Sequence, residues 1–192
     1  ILRALFKMGI PVSGKNIFPS NIQGLPTWYT IRVNKHGYLA RRDEQEIVVA
    51  MNPDSFAKDL ASVLPGGVFM VADHLRFTVN RDDVTVYTFP ANQFARESNA
   101  APGLRDYVAN MAYVGVVATM FGIDMEKIYQ ALDFHFKGKK GAIDLNYGVI
   151  EAAASWAATN LEKRDPYRVE PMNANEGYIM ADGNTAAALG SV

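Results

Sequence analysis

Short, unbroken apolar runs alternate with amphipathic stretches over the first ninety positions, and helical periodicity takes over after them. Residues 46–51 contain Ile47-Val48-Val49-Ala50-Met51. Such a run predicts a strand buried on both faces, because a parallel strand covered by helices on each side loses the in–out alternation. Residues 68–72 and 84–89 read the same way. Between the first two runs, Asn52-Pro53-Asp54 opens a helix with Phe56, Leu60, Val63 and Leu64 on one stripe, and Pro65-Gly66-Gly67 ends it. Strand, helix and strand in this order predict an α/β fold: a three-layer, Rossmann-like domain with a mostly parallel sheet and C-terminal helices.

The flanks are less regular. Residues 1–8 place Ile1, Leu2, Leu5 and Phe6 on one side of a helix that Gly9 stops. Residues 11–13 read as a short strand, and 14–26 as a long loop punctuated by Gly14, Pro19, Gly24 and Pro26. Trp28-Tyr29-Thr30-Ile31-Arg32-Val33 is rich in aromatic and β-branched residues and reads as a strand. Residues 34–37 turn it, and 38–42 are expected to form the other arm of the hairpin. Downstream, residues 104–121 are apolar nearly all round, which predicts a buried helix. Residues 125–136 put Met125, Ile128, Tyr129, Leu132 and Phe136 on one face behind an Asp124 cap. Residues 146–161 bring Val149, Ala152, Ala153 and Trp156 together. The polar stretch 162–177, with Pro166, Pro171 and Gly177, reads as a linker between domains. The first residues look like the middle of an amphipathic helix without an initiator Met or cap. The last look like a loop entering a small-residue helix. Both ends are therefore expected to be cut from a longer chain.

Composition narrows the chemistry. The 192 residues, 49% of them hydrophobic, can bury one sizeable core. A net charge of −1 calls for neither nucleic acid nor an anionic membrane as partner. The absence of cysteine excludes a disulfide framework, a thiolate-held iron–sulfur cluster and a cysteine nucleophile within this chain, and it fits a reducing cytoplasm. The longest apolar run, residues 114–120, is too short to span a bilayer. His36, His74 and His135 lie far apart, so no metal site and no catalytic residue is expected here.

Two regions could hold a ligand. The loop carries Lys15, Asn16, Ser20, Asn21 and Gln23, interleaved with Ile17, Phe18, Ile22 and Leu25, a mix suited to positioning a polar ligand. A packed surface loop with self-capping Asn and Ser side chains explains the same residues. Ser13-Gly14-Lys15 is not a phosphate loop, since residue 16 is Asn and the segment follows a helix. Arg32, Lys35, Arg41 and Arg42 lie in or beside the expected hairpin and could grip a phosphate or carboxylate through guanidinium forks. Asp43, Glu44 and Glu46 are near enough in sequence to satisfy the same cations. The basic loop Phe136-Lys137-Gly138-Lys139-Lys140-Gly141 is explained by cations at a helix C-terminus. Asp73-His74 follows a buried strand, where α/β proteins place ligand groups.

The run Ser13-Gly14-Lys15-Asn16-Ile17-Phe18-Pro19-Ser20-Asn21-Ile22-Gln23-Gly24-Leu25-Pro26-Thr27-Trp28-Tyr29 resembles the 2-oxoglutarate-type members of the 2-oxoacid:ferredoxin oxidoreductases, as does the stretch from Ile31 to Arg42. Phe136-Lys137 followed by Asn146 is similar to the last helical segments of that family's γ-type domain. Asp182-Gly183-Asn184-Thr185-Ala186-Ala187-Ala188 looks like the start of its α-type domain. The resemblance implies a γ-type accessory domain over 1–161, lacking its N-terminal strand and Gly-rich turn. A linker over 162–177 and a truncated α-type pyrimidine-binding domain over 178–192 would follow. It implies CoA-dependent oxidative decarboxylation of a 2-oxoacid, here 2-oxoglutarate to succinyl-CoA, carbon dioxide and reduced ferredoxin. Thiamine diphosphate, Mg2+ and a 4Fe-4S cluster are implied mainly outside this chain, with coenzyme A as co-substrate. A β subunit, ferredoxin and a dimer of heterodimers are the implied partners. On this reading Lys15, Asn16, Ser20, Asn21, Gln23, Arg32, Arg41 and Arg42 hold coenzyme A phosphates, a bound intermediate or a partner domain. A standalone α/β module that docks a partner or a nucleotide-like ligand is the alternative.

Overall fold

In a computed structural model, which describes residues 1–18 and 24–192, strand β4 (Val63–Ala72) organises the chain. It lies between β3 (Gln45–Ala50) and β5 (Thr85–Phe89), parallel to both, with Val49 opposite Met70 and Met70 opposite Tyr87. Its side chains alternate between two cores. Val68, Met70 and Ala72 pack with Tyr87 and Phe89 under α3 (Ala91–Glu97), α4 (Arg105–Phe121) and α6 (Lys140–Asn160). Phe69 and Val71 point the other way, under α2 (Phe56–Ala61) and residues 75–79. Phe56 stacks on Phe77 at 3.7 Å and meets Phe69 edge-on at 5.3 Å. The three layers are those expected for a parallel sheet, which needs both faces covered.

The strand β4 begins earlier than its apolar run suggests. Residues 63 and 64, expected on the α2 stripe, belong to β4, and α2 stops at Ala61. Val63 reaches the same core from the strand, so one apolar residue satisfies either reading. Helix α6 starts six residues before the expected position, running through Gly141, and Ala152 lies on its exposed face. Close approach of α4 to α6 requires Gly115, where a Cβ would collide with the Ile150 carbonyl.

A third core forms where α1 (Leu2–Lys7) rests on the helical layer. Ala4, Leu5, Met8 and Ile10 pack with Ala118 of α4, Ile150 of α6 and Ile128 of α5 (Met125–Phe136). Asp124 caps α5 by accepting from Glu126 N at 2.8 Å, as the sequence predicts. Val12 and Ile31 join this core from an antiparallel pair, β1 (Val12–Ile17) and β2 (Trp28–Val33).

The hairpin is thus made differently from the expectation. The partner of β2 is residues 12–17, and 38–42 form no strand. Burial decides between them: β1 brings Val12 to the α1 core, whereas Tyr38 and Leu39 remain more than three-fifths exposed. Gly14 sits inside β1 because Tyr29 lies across it, and a Cβ there would collide with the phenol.

Residues 162–177 have no regular structure, yet they are fastened along the domain. Val169 N donates to Phe121 O at 2.8 Å, and Met172 N donates to Met8 O at 2.8 Å. Asn175 Nδ2 donates to both Phe6 O and Ile10 O at 2.8 Å. Gly9, with φ +75°, lets the strap approach, since a Cβ there would collide with the Met172 carbonyl. Upstream, the Asp165 carboxylate is fully buried. It accepts from Tyr87 Oη at 2.7 Å, Lys163 Nζ at 2.6 Å and Tyr167 N at 3.0 Å. The C-terminal helix α7 (Gly183–Gly190) is exposed throughout and capped by Asp182. Among the described residues, no helix is long and apolar enough to cross a membrane.

Two measurements test this account. Tyr87→Phe leaves Asp165 Oδ2 and Arg164 N each short of a partner, so urea unfolding should show a loss of about 1–3 kcal/mol. Burial pushes the Tyr113 phenol from 10.0 up to about 12. Its folded value lies above its unfolded one, so the stability it contributes is complete below pH 10 and is lost as pH rises through 12. The urea midpoint should fall over that window, and fall less in Tyr113→Phe.

Candidate functional site

The register of the β1–β2 pair sorts the expected ligand residues onto two faces. Ser13 opposes Arg32 and Lys15 opposes Thr30, so Lys15 and Arg32 share a face. Asn16 opposes Tyr29 on the reverse face, with Gly14 and Ile31. The first face looks onto residues 39–46, and together they enclose a cavity of about 370 Å3. Lys15, Arg32, Arg41 and Arg42 all line it, with Glu44 and Glu46. Asn16 does not. Ser20, Asn21 and Gln23 lie outside the described residues.

The cavity carries a surplus of two positive charges, four cations against two carboxylates. Not all of them are equally available. Arg41 Nη2 pairs with Asp43 Oδ1 at 2.9 Å, and Arg42 Nη1 with Glu46 Oε1 at 3.2 Å. Both pairs are solvent-exposed, where such contacts contribute about 0–1 kcal/mol. Lys15 has no carboxylate within ion-pair distance among the described residues. Arg32 also has none, and its Nε is buried without a hydrogen-bond partner. Lys15 and Arg32 line the cavity with no carboxylate in ion-pair distance among the described residues, so an incoming anion meets two cations that give up no ion pair to bind it.

What holds the hairpin against the sheet is a side-chain bridge that the sequence did not signal. Trp28 Nε1 donates to Asp59 Oδ1 at 2.6 Å, and Ser55 Oγ donates to Asp59 Oδ2 at 2.7 Å. Lys58 Nζ lies 4.1 Å from the Trp28 ring centroid. Asp59 is 5% exposed. An Asp between Phe56 and Leu60 on an otherwise apolar helix face was the available clue, since a buried carboxylate demands donors. On the rim, Gln45 Nε2 donates to Arg42 O at 2.8 Å and fixes the backbone that carries Arg41 and Arg42.

The remaining candidates sit elsewhere. Ser13-Gly14-Lys15 lies within β1, as its rejection as a phosphate loop requires. Lys137 ends α5 in the left-handed conformation, φ 53°, and its basic loop is apart from the cavity. His74 follows β4, and no group of three or more His, Asp or Glu side chains is placed to hold a metal ion among the described residues.

Against this geometry, a family model described as pyruvate ferredoxin/flavodoxin oxidoreductase matches residues 1–156. The chain is 32% identical over 125 residues to the ketoisovalerate oxidoreductase subunit VorA of Methanothermobacter thermautotrophicus, covering 62% of this chain and 24% of that protein. It thus spans about a quarter of the length of the curated relatives it matches. The fold is shared with the 2-oxoglutarate:ferredoxin oxidoreductase from Magnetococcus marinus, solved with 2-oxoglutarate, coenzyme A and succinyl-CoA bound. The TM-score is 0.78 at 21% identity, over 90% of this chain and 30% of that one. It is shared also with the gamma subunit of a keto/oxoacid ferredoxin oxidoreductase from Geobacter sulfurreducens, with a TM-score of 0.64 at 15% identity, over 82% of this chain and 87% of that one.

Trp28→Phe should destabilise the domain by about 1–3 kcal/mol, because it leaves Asp59 Oδ1 buried with one donor fewer. Urea unfolding followed by far-UV circular dichroism measures this. A change below about 0.5 kcal/mol would show that the bridge does not hold the hairpin.

Proposed function

The chain belongs to the pyruvate ferredoxin/flavodoxin oxidoreductase family, and on that premise we propose that it is the γ-type part of a 2-oxoacid:ferredoxin oxidoreductase large subunit. In this reading residues 1–161 form the γ-type domain, 162–177 the connection, and 178–192 the start of the α-type domain. The reaction converts a 2-oxoacid, coenzyme A and two oxidised ferredoxins to an acyl-CoA, carbon dioxide, a proton and two reduced ferredoxins. The carboxylate leaves as carbon dioxide, the thiol proton is released, and the electron pair leaves as two single electrons. The substrate is 2-oxoglutarate, on the strength of the loop and hairpin motif. The name of the VorA relative makes ketoisovalerate the competing substrate.

Thiamine diphosphate with Mg2+ and the 4Fe-4S cluster do not fit this chain. There is no cysteine for a cluster, and no acidic or histidine cluster for a metal among the described residues. Those groups belong to the β subunit and to the α-type domain in this proposal, which also includes ferredoxin, a dimer of heterodimers and a cytoplasmic setting. Coenzyme A does fit. The observation that carries the proposal is the cavity lined by Lys15, Arg32, Arg41 and Arg42, in which Lys15 and Arg32 have no carboxylate partner among the described residues. Lys15 and Arg32 supply donors to the coenzyme A phosphates. Arg41 and Arg42 exchange Asp43 and Glu46 for phosphate oxygens at little loss, because exposed pairs are weak. The chain's work is therefore to bind and orient, while the cofactors supply the electron and carbanion chemistry.

Steady-state kinetics of the assembled enzyme test this. Lys15→Ala with Arg32→Ala should raise the KM for coenzyme A about tenfold or more, equivalent to about 1.4 kcal/mol. Exchange of labelled carbon dioxide into the 2-oxoacid, which needs no coenzyme A, should be unaltered. An unchanged KM for coenzyme A would overturn the assignment of the cavity. The ratio of kcat/KM for 2-oxoglutarate to that for ketoisovalerate decides the substrate.

A further inference from the structure

A second cavity, of about 250 Å3, opens at the carboxyl ends of β4 and β5 and shares no lining residue with the hairpin cavity. In open α/β sheets the crevice outside the carboxyl ends of the strands is where ligands bind. Asp73, His74 and Arg76 reach it from the turn that follows β4, and Asn92, Gln93 and Arg96 from α3, which begins two residues after β5 ends. The site is thus built by adjacent strands and does not depend on the hairpin.

Its two guanidiniums are uncommitted. Arg41, Arg42, Arg81 and Arg168 each have a carboxylate within 3.2 Å, whereas Arg76 and Arg96 have none within ion-pair distance among the described residues. Among the described residues, the only carboxylate lining the cavity is that of Asp73, whose Oδ1 lies 4.0 Å from His74 Nδ1. Two arginines against one aspartate leave a surplus positive charge before His74 is counted. Arg76 also adopts φ 49° and ψ 47°, the left-handed region, closed by its own N–H donating to Asp73 O at 3.2 Å. That conformation costs a non-glycine residue about 1–2 kcal/mol, and such residues gather at ligand clamps.

We propose that this cavity binds a phosphate group through Arg76, Arg96 and His74. A tetrahedral dianion presents oxygens in several directions and engages two guanidiniums at once, whereas one fork already fills a planar carboxylate. At ~30 Å3 per water the cavity holds the equivalent of about eight waters, which leaves room for a small organic group on the phosphate. Asn92 supplies a neutral amide for that group, and Gln93 is partly engaged with Glu97.

The test is 31P line broadening of inorganic phosphate, and separately of methyl phosphate, by the intact protein at fixed ionic strength. Wild type, Arg76→Gly with Arg96→Gln, and Lys15→Ser with Arg32→Ser are compared. Glycine suits the backbone at position 76, and both arginines are exposed, so the first pair should fold as wild type does; circular dichroism checks this. Broadening should fall at least fivefold in the first pair and persist in the second. A partial fall in both pairs also supports the site, with the hairpin cavity as an additional one. A fall in the second pair alone, no fall in either, or no broadening by wild type overturns the proposal. Broadening of both probes points to a phosphomonoester ligand, and of inorganic phosphate alone to the free ion.

Discussion

A carboxylate removed from water must be met by hydrogen-bond donors. Asp165 meets that demand with Tyr87 Oη, Lys163 Nζ and Tyr167 N, and the arrangement binds together parts of the chain far apart in sequence. Tyr87 reaches it from strand β5. Its hydroxyl also accepts from Arg164 N at 2.8 Å, and the Arg164 side chain donates to Val86 O at 3.0 Å. Lys163 lies 4.4 Å from the Phe121 ring centroid at the end of α4. The edge of the sheet, the end of a buried helix and an irregular segment are therefore pinned at one point. From that point the strap runs to Val169 and on to α1. Asp165 thus anchors the start of the strap, and Asn175, through Phe6 O and Ile10 O, anchors its end.

The parallel sheet was legible because its physics is local. Ile47 to Met51 and residues 68–72 are apolar without interruption, and such runs are explained only by burial on both faces. The helix caps at Asn52 and Asp124 were legible for the same reason: the capping oxygen and its N–H lie two residues apart. The hairpin was not. Residues 38–42 were the expected partner of 28–33, with 11–13 a separate short strand and 14–26 a loop, and the actual pairing rests on Val12 and Ile31 meeting α1, a contact no window of sequence contains. Gly14 misled in the same way, since it punctuates a loop in sequence but makes room for Tyr29 in space.

The site shows a similar division. Lys15, Arg32, Arg41 and Arg42 were chosen as hydrogen-bonding groups near a loop and a hairpin, and they do line one cavity. What sequence could not supply was the two-residue alternation of β1, which turns Asn16 to the opposite face, or the identity of the group that anchors the hairpin. Asp59 lies thirty-one positions from Trp28, and only the fold makes them neighbours. Acidic residues near the arginines were seen as competitors. The structure separates them: Asp43 and Glu46 occupy two guanidiniums in exposed pairs, while Lys15 and Arg32 have no carboxylate partner among the described residues.

The strap also sets an order of events during synthesis. The end of α1 exposes carbonyls at Phe6 and Ile10 whose side-chain donor, Asn175, is 169 and 165 residues further along the chain. At about 5–20 residues per second, a ribosome delivers that donor roughly 8–33 s after the helix itself. The sheet and the helical layer can assemble in the interval and cover the apolar face of α1, but the carbonyls at its end wait for their donor. An intermediate that lacks only the strap is therefore close to folded, with the carbonyls of Phe6 and Ile10 left to water until residue 175 arrives.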